Sequence, residues 1–96
     1  MREVFEVTSD KARQAEQMLR EDDVMGRQSI AVRNPGILGM DGDEVYIIIN
    51  GSEEAIEKAK EMLKDIAKVS EKRAKVLDKF DELEDRTADA FGSILG

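Results

Sequence analysis

Ninety-six residues are enough for one hydrophobic core and too few for two. Charged residues make up 39% of the chain and hydrophobic ones 41%, which excludes a disordered acidic tail, because such tails lack aliphatic residues. The net charge of −7 works against polyanion binding by the domain as a whole, and the absence of cysteine excludes disulfides, a thiolate nucleophile and a zinc–thiolate site.

Val4 to Thr8 alternates, Phe5 and Val7 facing one way and Val4 and Glu6 the other, which predicts a half-buried strand. Ser9 and Asp10 then supply a helix cap and an acidic first turn. Ala12, Ala15, Met18 and Leu19 follow at helical spacing, and the helix fades near Asp22-Asp23. Gly26 breaks the chain before a second strand over 29–33, where Ile30 and Val32 alternate with Ala31 and Arg33. Residues 34–43 carry the only proline and three of the seven glycines, so they read as a long hairpin connection. A competing register puts a tight turn at Asp41-Gly42. Ile37, Leu38 and Met40 are apolar for such a setting, and they either tuck onto the core or form a ligand-contacting loop.

Glu44 to Asn50 is apolar on both faces, as a strand in the middle of a sheet should be. Asn50-Gly51-Ser52 turns the chain and caps a second helix, with Glu53 and Glu54 at its positive end. Its apolar stripe runs from Ala55 to Val69 and persists, less strictly, through Val76, Leu77, Phe80, Leu83 and Phe91. Nothing between Ser52 and Ala90 is Gly or Pro. Either one helix continues for about forty residues, or it breaks near Ser70.

The element order predicts an α+β two-layer sandwich, β-α-β-β-α, with a three-stranded sheet in the order 1-3-2. That is half of a ferredoxin-like fold, extended by a long C-terminal helix. Residues 1–70 are expected to form the core and 71–96 an arm packing on the core or on a partner. The sheet face bearing Val4, Ala31, Tyr46 and Ile48 is too apolar for water. Burying four or five such side chains contributes on the order of 8–12 kcal/mol before entropy. Its cover is the arm of the same chain, a second copy, or an unrelated protein, so Tyr46, Ile48, Leu77, Phe80, Leu83 and Phe91 are the candidate partner-binding residues.

Catalysis has little to work with. Without His or Cys, acid–base chemistry near neutral pH needs a perturbed carboxylate or lysine. Ser70 and Lys72 read as a helical surface rather than a Ser–Lys pair. Asp41, Asp43 and Glu44 offer hard oxygen ligands, but their spacing is not that of an EF-hand and turn chemistry accounts for them, so no metal or cofactor is predicted. Between residues 64 and 79 six cations oppose three acids, and Lys64, Lys68 and Lys72 recur at i,i+4 as a candidate phosphate-binding stripe. From Phe80 to Ala90 the balance reverses, with five acids against Arg86. An antiparallel neighbour would match one block with the other.

Gly36-Ile37-Leu38-Gly39 is a GxxG, and Val45 to Lys60 resembles the last strand and helix of KH-type RNA-binding domains. In that family the GxxG lies between two helices and clamps nucleic-acid backbone. Here it lies between two strands and carries Ile37 and Leu38 instead of basic residues, so the clamping role does not carry over. The whole pattern is also similar to small archaeal two-layer α/β proteins. No signal or transit peptide and no apolar stretch near membrane-span length is visible, which predicts a cytoplasmic protein without membrane contact. Abundant Lys and Glu with few amides lean towards a thermophile. The function expected is a non-catalytic interaction or oligomerisation module whose partner is a protein, including a second copy of this chain. The alternative is an RNA- or phosphate-ligand-binding domain using the lysine stripe.

Overall fold

In the computed structural model, the backbone is described for residues 1–95 and the side chains for residues 1–85. The elements run β1 (Arg2–Thr8), α1 (Ser9–Glu21), a 3₁₀ turn (Met25–Arg27), β2 (Ser29–Arg33), β3 (Glu44–Asn50), α2 (Glu53–Leu63), β4 (Ala67–Val69) and α3 (Arg73–Leu95). The strands form one antiparallel sheet in the order β2-β3-β1-β4. The expected 1-3-2 order is retained within it, and a fourth strand is added beside β1. The result is a complete split β-α-β-β-α-β unit rather than half of one.

That fourth strand corrects the expected helix. Val4, Phe5 and Val7 are at most 2% exposed, so β1 is buried on both faces. Its backbone groups away from β3 need partners, because buried unpaired N–H and C=O groups are costly. Residues 67–69 supply them, pairing Val7 with Ala67, Glu6 with Lys68 and Phe5 with Val69. The Ser70 amide extends the ladder by donating to the Val4 carbonyl at 2.8 Å. Sheet completion overrides local helical periodicity, and α2 stops at Leu63.

The two sheet faces hold two apolar clusters. Phe5, Val7, Val45, Ile47 and Ile49 pack against Ala15 and Leu19 of α1 and Ala55, Ile56, Ala59 and Leu63 of α2. Val4, Tyr46 and Ile48 pack against Leu38, Met40, Val76 and Leu77, with Ala31, Phe80 and Leu83 at the margin. Thus α1 and α2 form the second layer of an α+β sandwich, and α3 lies over the other face of the sheet.

Local chemistry fixes the helix starts. Ser52 Oγ accepts from the Ala55 amide at 3.1 Å, capping α2 as expected. For α1 the cap position is Thr8, not Ser9, and its side chain makes no capping bond. Gly26 packs where a β-carbon would lie 2.8 Å from the Arg20 carbonyl oxygen, so the close turn after α1 requires glycine.

Residues 34–43 form the long connection, and the β2–β3 ladder begins only at Arg33 and Tyr46. Amides of Ile37, Leu38, Gly39 and Met40 donate to carbonyls of Asn34, Pro35, Gly36 and Pro35 at 2.9–3.2 Å. Gly42, at φ +124°, turns the chain into β3.

Candidate functional site

The apolar face that required a cover receives it from its own chain. Tyr46 and Ile48 are each 3% exposed, beneath Val76 and Leu77 of α3. Polar links help to hold the helix there. Arg73 donates twice to the Arg2 carbonyl, at 2.8 and 3.0 Å. Arg2 pairs with Asp81 at 2.6 Å. The Arg33 guanidinium lies 5.4 Å from the Phe80 ring centroid, a cation–π contact. Tyr46, Ile48 and Leu77 are therefore core residues. Phe80 and Leu83 are half-buried at the margin of the cluster, and Phe91 lies outside the residues whose side chains are described.

The candidate ligand loop divides. Leu38 and Met40 turn inward and are 4% and 8% exposed, whereas Ile37 is 57% exposed. Ile37 stands over a groove of about 200 Å³ between the connection and α3, which also involves Leu83, Lys79 and Glu82. The candidate loop and part of the candidate arm thus meet on one surface.

A second opening, of about 360 Å³, lies on the α3 side of the sheet. Its lining includes Glu6 and Tyr46, with Asp43 and Glu44 at the entry to β3 and Lys68 and Lys72 on β4 and the turn after it. Glu6 projects from the middle of β1 and is only 9% exposed. Ser70 Oγ donates to its Oε1 at 2.7 Å, and Lys68 Nζ approaches its Oε2 at 3.5 Å. Burial pushes the Glu6 carboxyl up, but hydrogen bonds from Ser70 and Glu44, together with Lys68, outweigh it and hold it below the usual carboxylate range. Glu44 moves the other way, chiefly because its hydrogen bond with Glu6 favours the protonated form, with burial and the Glu6 charge adding to this. The contact between the two carboxyls thus lowers one and raises the other.

Sequence reasoning placed Glu6 on this face without a role and read Ser70 and Lys72 as helical surface. Ser70 is 5% exposed; besides holding Glu6, its Oγ accepts from the Lys72 amide at 3.0 Å. The available signal was a carboxylate flanked in sequence by Phe5 and Val7, on the face that also bears Val4, Tyr46 and Ile48.

The lysine stripe is not one face of a helix. Lys64 lies in the turn after α2, Lys68 on β4 and Lys72 in the turn before α3. Lys64 pairs with Glu61 at 2.8 Å. Lys68 and Lys72 do share the pocket, but five carboxyl side chains line it with them. Among the described residues no group of three carboxylates is placed to hold a metal ion, and no helix is long and apolar enough to cross a membrane. No protein-family model, curated protein or solved structure matches the chain.

Proposed function

We propose that this chain is a non-catalytic interaction module that pairs with a second copy of itself across the groove between residues 34–43 and α3. The observation that carries the reading is Ile37, a large apolar side chain exposed on an ordered turn whose neighbours Leu38 and Met40 are buried. An exposed apolar side chain over a groove rimmed by charge is what an interface needs. Lys79 and Glu82 flank that groove and approach each other at 4.0 Å within the chain, so a two-fold copy can exchange this contact for the equivalent one across the interface in both directions.

The sheet edge is a poorer contact. Arg20 donates to the outer carbonyl of Ile30 at 3.1 Å and Arg33 to that of Val32 at 2.9 Å, so charged side chains occupy the margin of β2. Absence of catalysis accords with a chain lacking His and Cys.

Sedimentation equilibrium of the full chain tests the reading. The expected mass is that of a dimer, and Ile37→Glu should return it to the monomer while changing folding stability by less than about 0.5 kcal/mol, as for a surface substitution. A wild-type monomer at high micromolar concentration, or a dimer indifferent to Ile37→Glu, overturns it.

A further inference from the structure

The opening beside Glu6 is acidic on one side and has both of its lysines on the other. In the order β3-β1-β4, Glu6 and its strand lie in the middle, with Asp41, Asp43 and Glu44 on the β3 side and Lys68, Glu71 and Lys72 on the β4 side. Two inter-strand spacings, about 10 Å, separate the flanking strands. The two sides do not neutralise each other fully. Lys68 is taken by Glu6 at 3.5 Å, whereas Lys72 acts on Glu44 only through its charge. Asp43 is exposed at the mouth.

A free anion such as phosphate would meet five carboxyl side chains here. A bare cation would lie beside two lysines, and no described group of carboxylates is arranged for a metal. A neutral ligand with separated charges meets neither objection. In an α-amino acid the ammonium nitrogen and the carboxylate oxygens are about 3 Å apart across three bonds. Adding a charge-assisted contact of about 2.8 Å at each end gives a span of about 8–9 Å, which fits between the two sides.

We propose that this pocket binds a small zwitterion of the α-amino-acid type. Its ammonium group faces Asp43 and Glu44, and its carboxylate faces Lys72. Glu6, fixed by Ser70 and Lys68, forms the floor and positions Glu44 through their shared hydrogen bond. The site lies apart from the Ile37 groove, so it does not depend on self-association.

The test is an NMR titration of the full ¹⁵N-labelled chain with glycine, L-alanine and L-serine, and separately with methylammonium and acetate as the two halves of the ligand. At least one amino acid should shift the amides of Glu6, Glu44 and residues 68–72 saturably, with affinity in roughly the millimolar range. Neither half-ligand should do so at the same concentration. Lys72→Met should weaken amino-acid binding about tenfold, the loss of one charge-assisted contact, while leaving the rest of the spectrum unchanged. The proposal is overturned if no amino acid shifts these amides, if either half-ligand binds as well, or if Lys72→Met binds like wild type. Solution mass measured on the same samples reports separately on self-association.

Discussion

Ser70 Oγ donates a 2.7 Å hydrogen bond to Glu6 Oε1 across sixty-four residues of chain, and both side chains are buried. The same oxygen accepts from the Lys72 amide at 3.0 Å, and the Ser70 amide donates to the Val4 carbonyl. One serine thus ends β4, begins the turn into α3, and partners the only carboxylate on the middle of β1.

Ser70→Ala should therefore destabilise the chain by about 1–3 kcal/mol, the range for a buried hydrogen bond to a charged group. Chemical denaturation measures the loss, and amide exchange should show it concentrated at β4 and the start of α3. A loss within error of zero would mean that Glu6 is satisfied without Ser70.

The Glu6–Glu44 pair makes stability depend on pH in two opposing ways. Glu6 is held below its ordinary value, so its contribution is present above that value and disappears as pH falls through the folded one. Glu44 is raised, so its contribution is complete below the ordinary value and is lost as pH rises through the folded one. Glu44→Gln keeps a neutral donor for Glu6 at every pH. The variant should match wild type near about pH 4 and exceed it in urea midpoint near about pH 7. Equal midpoints at both values would show that the contact with Glu6 does not raise Glu44.

How much of this was legible beforehand depends on range. Val45 to Ile49 announced a central strand because burial on both faces leaves a run of apolar residues, and pairing with β1 and β2 accounts for it. Ile66, Ala67 and Val69 continue the spacing of α2 without a Gly or Pro between them. Only the unpaired edge of β1, sixty residues away, makes them a strand. The same long-range cause dispersed Lys64, Lys68 and Lys72 and turned Ser70 from helical surface into a buried hydrogen-bonding centre. Tyr46 and Ile48 were readable as needing a cover, and the structure supplies it from the start of α3. Local patterning carried β1, β2, β3 and the start of α2, while β4, the start of α3 and the polar centre depended on contacts between distant segments.

That dispersal bears on RNA binding. With Lys64 paired to Glu61 and Lys68 to Glu6, the remaining positive surface is broken by carboxylates. Wild type should show no salt-sensitive RNA binding above background, and Lys68→Glu with Lys72→Glu should change nothing further. A micromolar affinity that falls steeply with salt and is abolished by the double substitution would restore the lysines as a phosphate-binding surface.

The start of α3 is the part of the chain on which the sheet face most depends. Val76 is fully buried and Leu77 is 6% exposed, and both rest on Val4, Tyr46 and Ile48. Burying those two side chains alone contributes about 3–6 kcal/mol, comparable with the net stability of a small domain. Truncation after Ser70 should leave residues 1–70 unfolded, or folded with an apolar face that binds a hydrophobic dye and aggregates. Val76→Asp in the full chain separates loss of packing from loss of length, because it places one charge beneath an otherwise intact helix. It should lower the denaturation midpoint nearly as far as truncation does. Should residues 1–70 remain as soluble and as stable as the whole chain, α3 would be an appendage, and the second face of the sheet would need a different cover.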